Sequence, residues 1–272
     1  MRFGVTIEVI PEDADGDIDL VALQSMLMAE DNLPALVAVT HVPTSSGRVY
    51  DAAAVGALTA AAGVPLLLDA CQSVGQMPID VKDIGCDFLT ATGRKYLRAP
   101  RGCGFLYASR SSMSKFMPAM LDVWGAELQS PSSFAVNPTA RRYEAYEMSF
   151  AAKVGLAAAV QYALTLSVEA TWERIQFLAE TLRSELCKVS GVHVLDKGKL
   201  LCGIVSFCKD GALPEEIKSG LTAAGVNVSV SKRSSTFIDF DARGLESVVR
   251  ASVHYYNTEE EIHTLVQTVR GM

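Results

Sequence analysis

Two side chains that could share one reaction, an acid and an amine, follow two short apolar runs of the sequence. Val64–Leu68 ends at Asp69, and Phe88–Ala91 leads into Thr92-Gly93-Arg94-Lys95. Short apolar runs that stop at a charge or a glycine are typical of buried strands in a parallel sheet. The segment between them is long enough for a right-handed crossover, so both strands should end at the same edge. Ligands bind beyond the carboxyl ends of such strands, and we expect Asp69 and Lys95 to face one pocket.

These two residue types suit the chemistry of an aldehyde cofactor. A lysine amine can hold such a cofactor as a Schiff base. A carboxylate beside a pyridine nitrogen keeps that nitrogen protonated, so the ring can accept electrons from a substrate carbanion. The alternatives are ordinary: Asp69 could cap the turn after its strand, and Lys95 could be a solvated lysine. For a single residue, each of these alternatives is more common than a cofactor contact. The two residues taken together with their neighbours favour a cofactor site.

Several blocks around these residues resemble the class V aminotransferase and cysteine desulfurase family. The blocks are Asp69-Ala70-Cys71-Gln72, Thr92-Gly93-Arg94-Lys95, Pro100-Arg101-Gly102-Cys103-Gly104-Phe105-Leu106-Tyr107, Arg142-Tyr143-Glu144 and Val249-Arg250-Ala251-Ser252-Val253-His254-Tyr255-Tyr256-Asn257-Thr258-Glu259-Glu260-Glu261. The family consists of fold-type I enzymes that depend on pyridoxal 5′-phosphate (PLP). The resemblance therefore implies PLP as the cofactor, an amino acid or related amine as the substrate, and a homodimer as the assembly.

The resemblance also implies roles for the residues that lie nearest the cofactor ring. Lys95 would be the catalytic residue that forms the Schiff base, and Asp69 would pair with the protonated ring nitrogen. Gln72 would donate a hydrogen bond to the ring hydroxyl oxygen, unless it is an exposed amide at a helix start. Thr44 occupies a position where relatives often carry a polar residue near the ring, although it could equally be a turn threonine.

Three further residues would bind the charged ends of the cofactor and substrate. Thr92 and Arg94 flank the lysine and would bind the cofactor phosphate. Relatives often carry histidine where Arg94 stands, but a guanidinium still offers a charged, forked donor set. Arg250 would bind the substrate carboxylate through two parallel hydrogen bonds. The alternative for Arg250 is a surface arginine on an edge strand.

Composition narrows the classes of partner and site. The 272 residues carry a net charge of -7, which argues against a nucleic acid or an acidic membrane as partner. The six cysteines are scattered without a CxxC pair, so we expect neither a metal site nor a disulfide framework. The first residues are too polar for a secretion signal, and the longest uncharged run, between Asp51 and Asp69, is too short to span a bilayer. We therefore expect a cytoplasmic protein.

Periodicity and turn residues predict an α/β fold in two parts. Residues 1–150 should form a large domain with a mostly parallel sheet, and residues 151–272 a smaller C-terminal α/β domain. The resemblance implies that the first of these is a partial PLP-binding domain. A long connection without regular structure is expected over residues 110–137, and Thr258 with the three acids after it should begin the last helix. The other predicted elements are strands at Phe3–Ile10, Ala35–Thr40, Gly102–Tyr107, Val192–Leu195, Gly203–Phe207, Val226–Val230 and Val248–Val253, and helices at Leu20–Met28, Ala52–Ala62, Ala151–Leu166, Val168–Val189, Pro214–Ala224 and Thr258–Arg270.

The resemblance leaves three functions open. Transamination, racemisation and C–S β-elimination share their first step, and the family label favours a transaminase, with a C–S lyase acting on a substituted cysteine as the second choice. Relatives carry a long further segment before the start of this sequence, so the third possibility is a shortened, weak or inactive chain. Cysteine desulfurases need a cysteine on a mobile loop as sulfur acceptor. The matching region, Asn227–Gly244, contains none, so desulfuration through a protein persulfide is not expected.

Overall fold

The chain folds into two four-stranded sheets and a separate two-stranded hairpin, in a computed structural model that describes residues 4–29 and 32–272. The strands are β1 (Val37–Thr40), β2 (Leu66–Asp69), β3 (Phe88–Thr92), β4 (Gly104–Ala108), β5 (Ala126–Ser130), β6 (Ser133–Val136), β7 (Val192–Val194), β8 (Ile204–Lys209), β9 (Ser229–Lys232) and β10 (Ser247–Ser252). The helices are α1 (Leu20–Leu27), α2 (Ala52–Ala62), α3 (Val81–Ile84), α4 (Arg110–Met113), α5 (Phe150–Leu166), α6 (Val168–Cys187), α7 (Pro214–Ala223), α8 (Phe237–Ala242) and α9 (Glu259–Arg270).

The first sheet has the order β1-β2-β3-β4 and carries the two residues with which the sequence argument began. Strands β1, β2 and β3 are parallel, and β4 pairs antiparallel with β3. Leu66 and Leu68 of β2 are fully buried and pack with Val55 of α2. The predicted α/β fold with a mostly parallel sheet is confirmed, and the parallel register brings the ends of β2 and β3 to one edge.

Helix α2 covers this sheet and is fixed at both ends by local chemistry. The Asp51 carboxylate caps its start by accepting a hydrogen bond from the Ala54 amide at 2.9 Å. The helix ends at Gly63, whose φ of 67° lies in the left-handed region that favours glycine. In its middle, Gly56 packs so closely on α3 that a Cβ atom there would lie 1.7 Å from the Ile84 carbonyl oxygen.

The second sheet has the order β7-β8-β10-β9, and all its pairings are antiparallel. Its core joins Phe207 and Val249 of the sheet to Leu182 of α6 and Leu265 of α9, all nearly or fully buried. As predicted, Thr258 caps α9, with its side chain accepting from the Glu261 amide at 3.2 Å. Strand β10 lies inside the sheet, between β8 and β9, and this places Arg250 on an interior strand.

Two sequence predictions about the first half are wrong. The expected strand at Phe3–Ile10 does not form over residues 4–10, and Phe3 lies outside the described residues. Val5, Ile7 and Val9 are 58%, 66% and 56% exposed, because no described strand lies alongside to pair with the segment. The expected irregular connection at residues 110–137 instead contains α4 and the β5–β6 hairpin, whose pairing is antiparallel.

The predicted ends of other elements shift by a few residues. The expected strand at Val226–Val230 is β9 at Ser229–Lys232, and the helix expected to reach Val189 ends at Cys187. In the part of the chain that the structure covers, no single helix has the length and apolarity needed to cross a membrane. The bent pair α5–α6, with an angle of 77°, reaches that length and composition only when both helices are taken together.

Candidate active site

The structure places Asp69 and Lys95 at the carboxyl ends of neighbouring parallel strands. Asp69 is the last residue of β2, and its Oδ1 accepts a hydrogen bond from the Cys71 amide at 2.9 Å. Lys95 follows the end of β3 in a tight turn, in which the Arg98 amide donates to the Lys95 carbonyl at 2.8 Å. The Gly93 amide also donates to the Cys103 carbonyl at 3.0 Å, which fixes the turn to the start of β4.

The electrostatic environment of Lys95 favours a reactive amine. The residue is partly buried, and this loss of solvation lowers the pKa of its ammonium group, while Cys71 and Asp69 act to raise it. The charges of Arg94 and Arg250 lower it further. A larger share of neutral amine makes lysine a better nucleophile and a better base near neutral pH. The charges that shift the pKa of Lys95 come from both sheets, because Asp69 ends β2 and Arg250 lies on β10.

Gln72 and Thr44, predicted to face the ring, contact each other at this edge of the sheet. The Gln72 side chain is 4% exposed, and its Nε2 donates to the Thr44 hydroxyl at 2.9 Å. Gln72 is therefore buried, and the alternative of an exposed amide is wrong. Thr44 lies in the loop after β1, and the His41 amide at the start of that loop donates to the Asp69 carbonyl at 2.9 Å. The loop and the Asp69 turn thus form adjoining walls of one site.

Arg250 is partly buried and carries one buried guanidinium nitrogen that no described group satisfies. Its Nε is inaccessible to solvent and has no hydrogen-bond partner among the residues that the structure describes. Burial lowers the pKa of this guanidinium, although nearby Tyr96 and Cys202 oppose the shift. A buried cation with an unused donor is costly unless an anion binds to it. An interior strand and a buried donor overturn the alternative of a surface arginine on an edge strand, and they fit an anion such as a carboxylate.

Thr92 and Arg94 lie beside Lys95 as the sequence order requires. Thr92 is the last residue of β3 and is partly buried, whereas Arg94 is exposed. Their predicted contact with the cofactor phosphate stays a prediction.

Sequence reasoning missed an aromatic stack behind the lysine turn. The His254 ring stacks on Tyr96 with centroids 5.2 Å apart and on Tyr256 with centroids 4.2 Å apart. The Tyr96 hydroxyl donates to the Val253 carbonyl at 3.2 Å, which ties the residue after Lys95 to the second sheet. The run His254-Tyr255-Tyr256 four residues after Arg250 was the signal for this stack, since aromatic runs beside a site residue often pack around it.

Arg98 closes the same turn from the solvent side. Its φ of 57° is in the left-handed region, which is rare for a residue with a side chain. Its guanidinium lies 5.2 Å from the ring centroids of both Tyr162 and Tyr255. Cation–π contacts of this kind stabilise by about 0.5–1 kcal/mol at exposed sites, so they help to hold the strained turn that presents Lys95.

The two buried histidines of the site, His41 and His254, should make folding sensitive to acid. Burial lowers the pKa of each to about 4, against an ordinary value of 6.5. Between these values the unfolded chain binds more protons than the folded one, so stability should fall as the pH drops from 6.5 towards 4. We expect a loss on the order of 2–3 kcal/mol for each histidine, measured by urea unfolding at pH 7 and pH 4.5.

Asparagine variants of the two histidines separate this effect from the titration of carboxylates. His41→Asn and His254→Asn should each flatten the pH profile by the share of the lost histidine. If the stability of the double variant fell as steeply with pH as that of the original chain, the two histidines would not be the cause of the acid sensitivity.

A large cleft in the described part of the chain includes His41 but none of the residues predicted to bind the cofactor or the substrate. It has a volume of 1210 Å³ and is bounded by α2, β3, β4 and α5, with Tyr50, Leu89, Tyr107 and Val160 among its lining residues. Asp69, Gln72, Lys95 and Arg250 do not line it. Because the lining of this cleft is mostly apolar, the position of the titratable residues, and not the size of the cleft, identifies the candidate active site.

Comparison with known proteins agrees with this geometry. The sequence model described as aminotransferase class-V matches residues 1–265. A probable cysteine desulfurase of Methanothermobacter thermautotrophicus is 29% identical over 269 residues, which cover 98% of this chain and 66% of that protein. Probable cysteine desulfurase 2 of Mycobacterium leprae is 31% identical over 271 residues, covering 98% of this chain and 63% of that protein.

Solved structures share the fold across nearly the whole chain. The apo structure of a cysteine desulfurase from Thermococcus onnurineus NA1 superposes with a TM-score of 0.89 at 26% identity, covering 97% of this chain and 65% of that one. The cystine C–S lyase C-DES, solved with its product cysteine persulfide, superposes with a TM-score of 0.82 at 23% identity, covering 99% of this chain and 69% of that one. The chain spans about two thirds of the length of these relatives. The family match over residues 1–265, together with the shared fold and the acid and amine at neighbouring strand ends, shows that this chain belongs to the class V aminotransferase family.

Proposed function

We propose that this chain carries the active site of a PLP-dependent enzyme that cleaves the C–S bond of cysteine or a cysteine derivative. One observation carries the proposal: a partly buried lysine amine shares its site with a strand-end carboxylate and with a partly buried guanidinium whose inaccessible Nε has no described hydrogen-bond partner. An amino acid offers a matching amine and carboxylate. The relatives named above are desulfurases and a C–S lyase, so we now prefer C–S cleavage to the transamination that the sequence favoured.

The residues at the site fit PLP by their chemistry. An aldehyde needs an amine, which Lys95 supplies, and a pyridine nitrogen needs an acid, which Asp69 supplies. Gln72 brings an amide donor to the same edge and already donates through it to a hydroxyl. Thr92 and Arg94 would bind the phosphate, as a hydroxyl and a forked cation beside the lysine can do. A mutant of the structural neighbour C-DES carries glycine linked covalently to its PLP cofactor, in a protein with the same fold.

The residues of this chain would have separate roles in the reaction. PLP, when bound, supplies an electron sink for the bond that breaks at the substrate α-carbon. Asp69 would keep a proton on the ring nitrogen, and Arg250 would hold the substrate carboxylate through its partly buried guanidinium. Lys95 holds the cofactor at rest and moves the proton at the substrate α-carbon, a step for which its lowered pKa suits it.

The fate of the sulfur follows from the cysteines near the site. Residues 229–244, which form β9, a short 3₁₀ turn and α8, contain no cysteine. Cys71 lies near Lys95, but burial and the nearby Asp69 raise the pKa of its thiol and so disfavour the nucleophilic thiolate. We therefore propose that sulfur leaves on the small-molecule product, as cysteine persulfide from cystine, rather than on the protein.

The test combines cofactor titration with a substrate panel. The chain titrated with PLP should show an absorption band near the visible. Cystine should then give pyruvate and ammonia together with a persulfide, whereas transamination would give a keto acid without ammonia. Absence of the band would sink the proposal and favour an inactive, shortened chain.

The substitution Cys71→Ser tests the sulfur route separately. We expect the variant to form pyruvate from cystine at a rate within about twofold of the original chain, because the thiol is neither nucleophile nor base. Cys103→Ser, at a partly exposed cysteine in the turn before β4, is the matched control. A loss of sulfur release confined to Cys71→Ser would instead make this thiol the sulfur acceptor.

We also propose that the chain works as a homodimer. Helix α5 has no buried residue along its 17 positions, although it is strongly apolar. The accessible surface of 15101 Å² is well above the roughly 11,400 Å² expected for a folded monomer of this mass. The excess is large enough for a stable subunit interface. Light scattering after gel filtration would measure the mass directly, and a monomer at micromolar concentration would contradict this part of the proposal.

A further inference from the structure

We infer that Asp239, on α8, is a positioning residue for the cofactor site and acts through Arg48 on the loop that carries Thr44. The inference rests on the proposed PLP site. Asp239 and Arg48 are 191 positions apart in the sequence, and neither belongs to the residues assigned to the cofactor or the substrate.

The loop between β1 and α2, residues 41–51, touches the cofactor residues at one end and is closed on itself. Its Tyr50 amide donates to the His41 carbonyl at 3.0 Å, so both ends of the loop meet at the tip of β1. Thr44 within it accepts the hydrogen bond from Gln72. Any shift of the loop therefore moves a group that contacts a predicted ring-binding side chain.

The middle of the loop is held by the second sheet rather than by the first. The Ser206 hydroxyl donates to the Ser45 carbonyl at 2.8 Å, and the Gly47 amide donates to Asp196 Oδ1 at 3.0 Å. The Cys202 amide donates to the Gly47 carbonyl at 2.7 Å. A Cβ atom on Gly47 would lie 2.4 Å from the Ile204 carbonyl oxygen, so the two backbones approach as closely as glycine allows.

Arg48 is the residue after Gly47, and its charged side chain anchors the loop to residues outside it. Its side chain is 1% exposed, and its Nη2 lies 2.9 Å from Asp239 Oδ1. Its other donors reach the Glu12 carboxylate, the Tyr50 hydroxyl at 3.1 Å and the Ser46 hydroxyl at 3.2 Å. A buried guanidinium needs a full set of charged and polar partners, since loss of one leaves an uncompensated charge.

Asp239 connects this anchor to α8. Its Oδ2 lies 3.3 Å from Arg243 Nη1, and Arg243 Nη2 donates to the Leu195 carbonyl at 2.7 Å. The side chain of Asp239 is 16% exposed, so water replaces little of its bond to Arg48. A continuous set of polar contacts thus runs from α8 through Asp239 and Arg48 to the Thr44 loop, which is the physical connection that coupling requires.

The test compares Asp239→Asn with Asp241→Asn on the same helix. Asp241 is 53% exposed and pairs with the surface Arg233, so its variant makes the same chemical change without reaching the loop. Hydrogen exchange of the chain without cofactor should quicken about tenfold in peptides covering residues 41–50 for Asp239→Asn only. The dissociation constant for PLP, measured by absorbance, should rise about tenfold in that variant alone, and Asp239→Glu should restore most of both values.

Each outcome decides a separate question. Failure of the original chain to bind PLP would sink the proposed function, while the exchange measurement would still test the coupling. If Asp239→Asn matched Asp241→Asn in exchange and in PLP affinity, the inference would be overturned. Equal acceleration in residues 204–209 and in residues 41–50 would also overturn it, because Asp239 would then support the fold in general.

Discussion

Replacement of Lys95 by alanine should reduce C–S cleavage by about 10⁴-fold or more, to the level of the cofactor alone. In the proposed function, Lys95 both holds the cofactor and moves the proton at the substrate α-carbon. Its lowered pKa depends on burial in the turn that follows β3, and a lysine elsewhere on the surface cannot reproduce that environment. The variant should therefore lose activity without losing its fold.

Borohydride reduction followed by mass spectrometry gives a readout other than activity. The original chain incubated with PLP should gain the mass of one covalently attached cofactor, located in the peptide that contains Lys95. Lys95→Ala should gain none. Lys82→Ala, which removes an exposed lysine of α3, is the control and should behave as the original chain does. An adduct that persists in Lys95→Ala would place the cofactor on another lysine.

Substitution of Gly56 by alanine should destabilise the chain by about 3 kcal/mol or more. The added Cβ would meet the Ile84 carbonyl oxygen at 1.7 Å and the Ile84 carbonyl carbon at 2.9 Å, and both are backbone atoms that cannot rotate away. Helix α2 would have to move off α3, and with it Val55 would leave the core of the first sheet. The free energy of unfolding in urea measures the loss.

A second glycine variant separates crowding from backbone strain. Gly63, at the end of the same helix, has a φ of 67° but open space where a Cβ would go. Gly63→Ala should cost only about 1 kcal/mol, from strain alone. Equal losses in the two variants would show that the contact with Ile84 relaxes easily, and the prediction for Gly56 would then be wrong.

The meeting of Asp69 and Lys95 at one edge of the sheet could be predicted because it depends on local patterns and one rule of topology. Short apolar runs identify β2 and β3, and parallel strands joined by a crossover must end on the same side. The placement of Asp69 and Lys95 at the same edge follows from this rule. Arg250 required the family resemblance, since an arginine within an apolar run could be buried or could lie at an edge. The structure decides the matter, because β10 has a neighbour on each side.

The remaining features depend on contacts between distant parts of the chain. Arg48 lies in a polar, turn-rich stretch and has the sequence context of a solvated residue, yet it is almost fully buried. No periodicity links it to Asp239. The strand expected at Phe3–Ile10 failed for the opposite reason: its alternation is clear, but alternation alone cannot supply the neighbouring strand that its backbone groups need.

The separate origins of Lys95 and Arg250 bear on the choice of substrate. Lys95 follows a strand of the parallel sheet and Arg250 lies in the antiparallel one, so an amino acid would contact both sheets at once, with its amine replacing Lys95 on the cofactor and its carboxylate binding Arg250. A simple amine would be held from one side only. Discrimination between amino acids and their decarboxylated counterparts would then arise from the way two halves of the protein meet, without any dedicated selectivity pocket.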